Sequence, residues 1–413
     1  MSTETNMYYE DLLRLVKEDK SPFRNDWDVK LLVEEVESKL DAKIHNIYAV
    51  SKGSSNYGFH IGLDDGRQIV ARLAQADVNT PYYDGFPLEW LVADVEFEAA
   101  IYQLLRDEPK IKASVLLYHR SPVLVPSAGL LKSANVLGRK LLLYVRAKGE
   151  KNIWEQLSPD SKMKLLSEAA HIRAALFHLS VPAEIVQTWL LKRLFDPKPK
   201  TLASAVAPTR QYCLDLLVSK VQATVGELGT MIGWKDDHEV VGPIALAAKS
   251  SLLRLIPYVL PDDEEDDNLY RFTIEHGDYG VHNMSIELEG EIPQITSLYD
   301  WEMACIVPAI LSDPQMAVKV DLVVNAEAVP IVTRTDKDDT EEDLREYQSW
   351  SNYYYKILFD QSPEYRRAIK SGRDARHIWF ALKAWRGGES EAYFGALGKW
   401  AEKRLEELQY RNE

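Results

Sequence analysis

The sequence predicts an α+β chain in two parts: a small, antiparallel, β-rich first lobe over 1–146 and a larger, mainly helical second lobe over 147–413. Three observations carry that expectation. Between residues 47 and 145, short runs rich in apolar residues are separated by turn residues, the signature of strands and hairpins. Beyond Arg146 the apolar residues recur every three or four positions, as in helices packed on one face. The two textures meet near Leu143–Gly149, with no internal repeat and no low-complexity linker.

Taken in order, residues 8–18 and 28–41 carry Leu12, Leu13, Leu15 and Val16, then Leu31, Leu32, Val36 and Leu40, at helical spacing. Two helices therefore precede the first sheet. Ile47–Ser51 and Tyr57–Leu63 read as strands, Asp64-Asp65-Gly66-Arg67 as a hairpin turn, and Gln68–Leu73 as the returning strand. Glu89–Leu105 reads as an amphipathic helix, and Val115–Tyr118 with Leu141–Val145 complete a small antiparallel sheet. In the second part, Lys162–Leu179, Gln211–Leu228 and Pro243–Leu260 read as core helices. The acidic runs Asp262–Asp267 and Asp336–Asp343 read as solvated loops.

With 413 residues the chain has room for two domains or one extended bilobal core. Its 46% hydrophobic and 27% charged content is that of an ordinary globular protein. A net charge of −15 argues against a nucleic-acid partner, because phosphate backbones are bound by clustered Lys and Arg. Cys213 and Cys305 are the only cysteines, which disfavours a disulfide framework or zinc site and points to the cytosol. The first residues show neither a basic segment nor an apolar run, so no secretory signal is expected. The most apolar window, Val240–Leu260, is interrupted by Lys249 and Arg254, and reads as a buried helix rather than a membrane span.

The most informative stretch is His276-Gly277-Asp278-Tyr279-Gly280-Val281-His282-Asn283, followed seventeen residues later by Asp300-Trp301-Glu302. Between them Met284–Leu288, Glu289-Gly290-Glu291 and Ile292–Tyr299 read as strand, tight turn and strand. A hairpin of that kind returns Asp300 to the end where it left Asn283. One carboxylate to accept a hydroxyl proton, and an amide oxygen with a second carboxylate to hold Mg²⁺, are the parts that phosphoryl transfer needs. Asp278 is the candidate base; Asn283 and Asp300 are the candidate metal ligands, since Mg²⁺ takes hard oxygen donors and usually only one or two from the protein. His276 reads as a structural support of the loop, and His282 is assigned no role.

These motifs resemble the aminoglycoside phosphotransferase and choline kinase-like branch of the protein-kinase fold, whose members carry a His-Gly-Asp-x-x-x-x-Asn loop followed by Asp-Trp-Glu or Asp-Phe-Glu. The resemblance spans about Ile47 to about Met316, with its specific motifs in the C-terminal half. It implies a bilobal kinase-like fold and transfer of the γ-phosphate of ATP, with Mg²⁺, to a hydroxyl of a small molecule. The family's Leu after the catalytic Asp is Tyr279 here, at a packing position.

The resemblance also assigns roles in the first lobe. Ser51–Gly58 bridges two strands and is similar to the family's Gly-Ser-Ser-Asn hairpin, so Ser54, Ser55 and Asn56 would approach the phosphates. Arg72 stands on the strand where kinases place a phosphate-contacting Lys. Guanidinium is permanently charged and engages phosphate as a fork. Its implied helix partner is Glu98, with Glu96 the competitor on a face roughly 200° away. Leu141–Val145 would be the connector whose main chain meets adenine, and Tyr144 belongs either there or to the core. Asp313 resembles an Asp that supports the catalytic loop from a following helix. The aromatic residues from Trp350 to Trp400 read as helical core, with some available to line an acceptor pocket. A second reading stays open: Arg72 in place of Lys and Glu302 in place of Gly also suit a nucleotide- or ligand-binding protein that has lost phosphoryl transfer.

Overall fold

A computed structural model describes residues 5–7, 12–80, 83–125, 136–191, 201–225, 241–262, 269–384 and 391–409. Contacts divide the chain into two units. The first holds Met1–Glu150, Met284–Glu287 and Ile295–Glu302; the second holds Lys151–Asn283, Leu288–Gln294 and Met303–Glu413.

The first unit is built on six antiparallel strands: β1 (Thr5–Met7), β2 (Ile44–Lys52), β3 (Asn56–Leu63), β4 (Gln68–Ala74), β5 (Leu116–Arg120) and β6 (Leu141–Val145). Their order across the sheet is β1-β2-β3-β4-β6-β5. Gly66 closes the β3–β4 turn at φ +87°, a conformation glycine adopts without steric cost. Helices α1 (Leu12–Lys17) and α2 (Val29–Leu40) cover one face. Leu12, Trp27, Leu32 and Val36 form a core there with Phe59, Ile61, Ile69, Ala71, Leu73, Leu141 and Leu143. Because side chains alternate along a strand, the residues between these point to the opposite face. That alternation places Arg72 on β4, and Leu142 and Tyr144 on β6, on the side served by helix α3 (Leu88–Leu105).

The second unit is mainly helical: α4 (Pro159–His178), α5 (Ala183–Leu191), α6 (Arg210–Thr224), α7 (Val241–Leu255), α8 (Glu341–Gln361), α9 (Pro363–Ser371), α10 (Arg373–Ala384) and α11 (Glu391–Gln409). Short strands stand among them: β7 (Phe272–Glu275) pairs with β10 (Cys305–Pro308), and β11 (Met316–Ala317), β12 (Asp321–Val324) and β13 (Pro330–Thr333) form a small sheet. Between β7 and β10 in sequence, β8 (Met284–Glu289) and β9 (Ile292–Leu298) form a two-stranded hairpin whose turn begins at Gly290, φ +66°. Trp350, Tyr354, Tyr355, Trp379 and Phe394 are buried core residues; Trp385 lies outside the described residues.

Two sequence expectations are corrected here. Glu341–Asp343 is not loop but the first turn of α8: Thr340 caps it, accepting from the Asp343 N–H while the Asp343 carboxylate accepts from the Thr340 N–H. An acidic first turn suits the positive end of a helix dipole. Asp313 does not stand on a helix; it lies between the turn Ala309–Leu311 and β11, and its carboxylate accepts from the Gln315 N–H at 3.2 Å. Of the other acidic run, residues 263–268 lie outside the described residues. Both cysteines are buried thiols. Among the described residues no single helix is long and apolar enough to cross a membrane.

Candidate active site

The candidate residues fall into two groups, one in each unit. In the first unit they converge on Arg72. Its Nη2 lies 2.8 Å from Asp300 Oδ1 and 3.1 Å from Glu302 Oε2, and its Nη1 lies 3.7 Å from Glu98 Oε1. Glu98 is 2% exposed on the sheet-facing side of α3. Glu96 lies on another face of the helix, half exposed, and pairs with His119 at 3.6 Å. The loop between β2 and β3 is tied by Gly53 N–H to the Asn56 carbonyl at 2.9 Å, and Gln75 donates to the Gly53 carbonyl at 2.6 Å. Ser54 and Ser55 are exposed at its tip. Asn56, at its base, sets its amide against Arg72; with the amide oxygen turned to the guanidinium it accepts from Nε and Nη2 at 3.1 Å each.

Burial works against the Arg72 charge, but Asp300, Glu98 and Glu302 outweigh it and hold the guanidinium charged well above its ordinary range. Asp300 itself sits at φ +67°, in the left-handed region that Asp tolerates better than most residues. Its N–H donates to Tyr102 Oη, on α3, at 3.2 Å. Tyr144 is buried: its ring meets that of Tyr102 edge-on at 5.0 Å, and its hydroxyl donates to Glu98 at 3.4 Å. Its register pairs it with Val70 on one side and Leu116 on the other, and it is 7% exposed. Past β6 the chain turns at Gly149, where a Cβ would meet the Ile286 carbonyl carbon at 2.4 Å.

A residue the sequence reading passed over joins this group. Lys140 Nζ lies 3.3 Å from Glu302 Oε1 and 3.7 Å from Glu98 Oε2, and its side chain is 12% exposed. It immediately precedes β6 and shares the strand's alternation with Leu142 and Tyr144.

In the second unit, β7 delivers the loop. Glu275 ends that strand and is buried against Arg173 of α4, whose guanidinium also donates to the Asp313 carbonyl and, at 3.0 Å, to Tyr365 Oη. His276 is fully buried. Gly277 follows at φ +82°, where a Cβ would lie 2.1 Å from the Met303 carbonyl oxygen. Gly277→Ala is therefore expected to lower stability by at least about 1–3 kcal/mol, the usual cost of a left-handed non-glycine residue, which urea denaturation would measure.

Asp278 comes next, its side chain about half exposed. The Asn283 amide donates to the Asp278 carbonyl at 2.9 Å and to its Oδ2 at 3.0 Å, which turns the amide oxygen away from the carboxylate. His282 Nε2 lies 2.9 Å from the same Oδ2. That hydrogen bond holds the Asp278 carboxyl below its ordinary range, against the opposing effect of burial. Tyr279 is buried, and its hydroxyl donates to the Ala169 carbonyl at 2.7 Å.

Taken separately, Asn283 offers an amide oxygen and Asp300 a partly exposed carboxylate, both hard donors of the kind a divalent cation takes. Asp300 gives one oxygen to Arg72, so a cation there would share or displace that contact.

Residues 46–311 match the family model described as the phosphotransferase enzyme family, which covers more than half the chain. The protein belongs to that family, and it has an antiparallel sheet in its N-terminal region and a mainly helical C-terminal part. No protein of curated function matches the chain significantly. Similar solved structures include a thermostable mutant of aminoglycoside phosphotransferase APH(4)-Ia in a ternary complex with AMP-PNP and hygromycin B, at 11% identity and TM-score 0.44, covering 91% of this chain and 97% of that one. A putative aminoglycoside phosphotransferase from Ralstonia eutropha JMP134 has 13% identity and TM-score 0.42, with 92% and 96% covered. The macrolide 2'-phosphotransferase MphH from Brachybacterium faecium has 12% identity and TM-score 0.40, with 90% and 96% covered. At such identities and TM-scores the likeness says nothing of this chain's substrate.

Proposed function

We propose that the chain transfers the γ-phosphate of ATP to a hydroxyl of a small molecule. The observation that carries this reading is the Asp278 loop: a solvent-reaching carboxylate fixed through both its carbonyl and its Oδ2 by the amide of Asn283. Asp278 would orient the acceptor hydroxyl and take its proton as the oxygen forms a bond to the γ-phosphorus and the bond to the ADP oxygen breaks. Arg72 would place its guanidinium against phosphate oxygens, anchored from behind by Glu98, with the Ser54–Asn56 loop closing over them. Leu141–Val145 is paired on one edge by β4 and on the other by β5, so main chain just past β6, rather than the strand itself, would meet the adenine. Mg²⁺, held through oxygens of Asn283 and Asp300, would neutralise phosphate charge. Positioning and electrostatics of this kind supply most of the rate enhancement in such reactions.

A melting series with ATP, Mg²⁺ and both together tests the reading. A bound ligand raises native-state stability by RT ln(1 + [L]/Kd), so large stabilisation with both and little with either alone is expected. No shift under any condition would remove a nucleotide role. A phosphorylation screen over alcohols, sugars and amino alcohols then identifies the acceptor. The second reading, a binding protein without transfer, draws on Arg72 resting on Asp300 and Glu302. Stabilisation by Mg·ATP with no phosphorylated product from any acceptor, and no ATP hydrolysis, would favour it.

A further inference from the structure

We propose that Lys140 is the standing counter-ion of Glu98 and Glu302, and that it thereby frees Arg72 to give its guanidinium to a nucleotide's phosphates. This rests on the phosphate-transfer reading above. Three carboxylates, Glu98, Asp300 and Glu302, share two cations in the first unit, and all five side chains lie within the contacts already given. Arg72 touches all three. Lys140 touches only Glu98 and Glu302, the two that are 2% and 23% exposed; it does not reach Asp300, which is 38% exposed.

The division has a physical consequence. If Arg72 were the cluster's one cation, turning it toward phosphate would strand Glu98 as a buried, unpaired charge, an arrangement proteins avoid strongly. With Lys140 in place the buried Glu98 and the partly buried Glu302 keep a partner while Arg72 moves. Asp300 is the carboxylate left over, and it is the one proposed to take the metal. Arg72 and Lys140 are also suited to different parts. A guanidinium forks onto planar acceptors, whereas an ammonium is a compact point charge that can sit between two carboxylates. Burial disfavours the ammonium, but Glu302 and Glu98 outweigh it and hold Lys140 charged above the ordinary lysine range.

The test is Mg·ATP affinity by calorimetry alongside KM and kcat, in wild type, Lys140→Met, Lys140→Arg, Glu302→Gln and Lys140→Met/Glu302→Gln. Lys140→Met is expected to weaken Mg·ATP binding by about tenfold or more, about 1.4 kcal/mol, because Glu98 and Glu302 would then hold Arg72 back from the phosphates, with a smaller effect on kcat. Lys140→Arg keeps the charge and should lose less. The double variant relieves Glu302 but not Glu98 and should recover part of the lost affinity, because residues acting through one contact are non-additive. Recovery by removing a carboxylate is a result that a space-filling role for Lys140 would not give. Wild-type affinity in Lys140→Met, or a double variant that binds no better than Lys140→Met, overturns the proposal. If Lys140→Met does not fold, the double variant against Glu302→Gln alone decides: a further loss of affinity, from Glu98 left without its ammonium, supports the proposal, and no further loss overturns it. Absence of Mg·ATP binding by the wild type is a separate result, and it removes the phosphate-transfer reading itself.

Discussion

Asp278→Ala is expected to lower kcat by about 10²- to 10⁴-fold, the range that a positioned general base contributes. Mg·ATP affinity should stay within a few-fold, since the proposed nucleotide contacts are made by other residues. The expectation follows from how the carboxylate is held. Asn283 fixes its direction from two hydrogen bonds, and His282 keeps it anionic by drawing its pKa below the ordinary carboxylate range. A carboxylate that is anionic at neutral pH and half open to solvent can receive a proton from a bound hydroxyl. Asp278→Asn should lose as much, because the amide keeps the shape but has no basic oxygen of comparable strength. His282→Ala should lose far less, since the carboxylate remains; the reverse ranking would move the base from Asp278 to His282. Unchanged turnover in Asp278→Ala would take that residue out of the mechanism.

The second large effect is expected at Arg72. Arg72→Ala leaves Lys140 alone among three carboxylates and removes the proposed phosphate contact. Nucleotide KM should rise and kcat fall together. Arg72→Lys should keep part of the activity, because charge is restored but the two-pronged contact with Asp300, Glu302 and Asn56 is not. Glu98→Ala should impair the same step, whereas Glu96→Ala, at an exposed site paired to His119, should do little. The double variant Arg72→Ala/Glu98→Ala should cost clearly less than the sum of the singles. Full activity in Arg72→Ala, or strict additivity of the pair, would place the phosphate anchor elsewhere.

Much of this arrangement is legible in the sequence where the physical signal is periodic. Strand β6 runs over Leu141–Val145 as its apolar run predicts, and β3, β4 and α3 begin or end within a residue of their expected bounds. Two helix residues two positions apart face about 200° apart, so only one of Glu96 and Glu98 could reach the sheet. Short elements gave no such signal. Thr5–Met7 spans three residues, and β11, β12 and β13 span two to four, too few for alternation to stand out. The acidic run at 341–343 suits a solvated loop and a helix start equally, and only the Thr340–Asp343 reciprocal cap distinguishes them. Lys140 was missed for a different reason. It lies just outside the apolar run, where a Lys ordinarily reads as a charged strand flank, yet counting back by two from Tyr144 and Leu142 would have put it on the Arg72 face.

Helix α3 has one more consequence. Glu98 and Tyr102 lie four residues apart, hence on one stripe of the helix, and each holds a different part of the first-unit cluster: Glu98 the guanidinium of Arg72, Tyr102 the backbone of Asp300. The two grips share one rigid lever. A slide or roll of α3 loosens both at once, so the charge cluster and the left-handed Asp300 fail together rather than in sequence. Wherever a substitution far along that helix disturbs its seat, the damage arrives at the cation and the carboxylate as a single event.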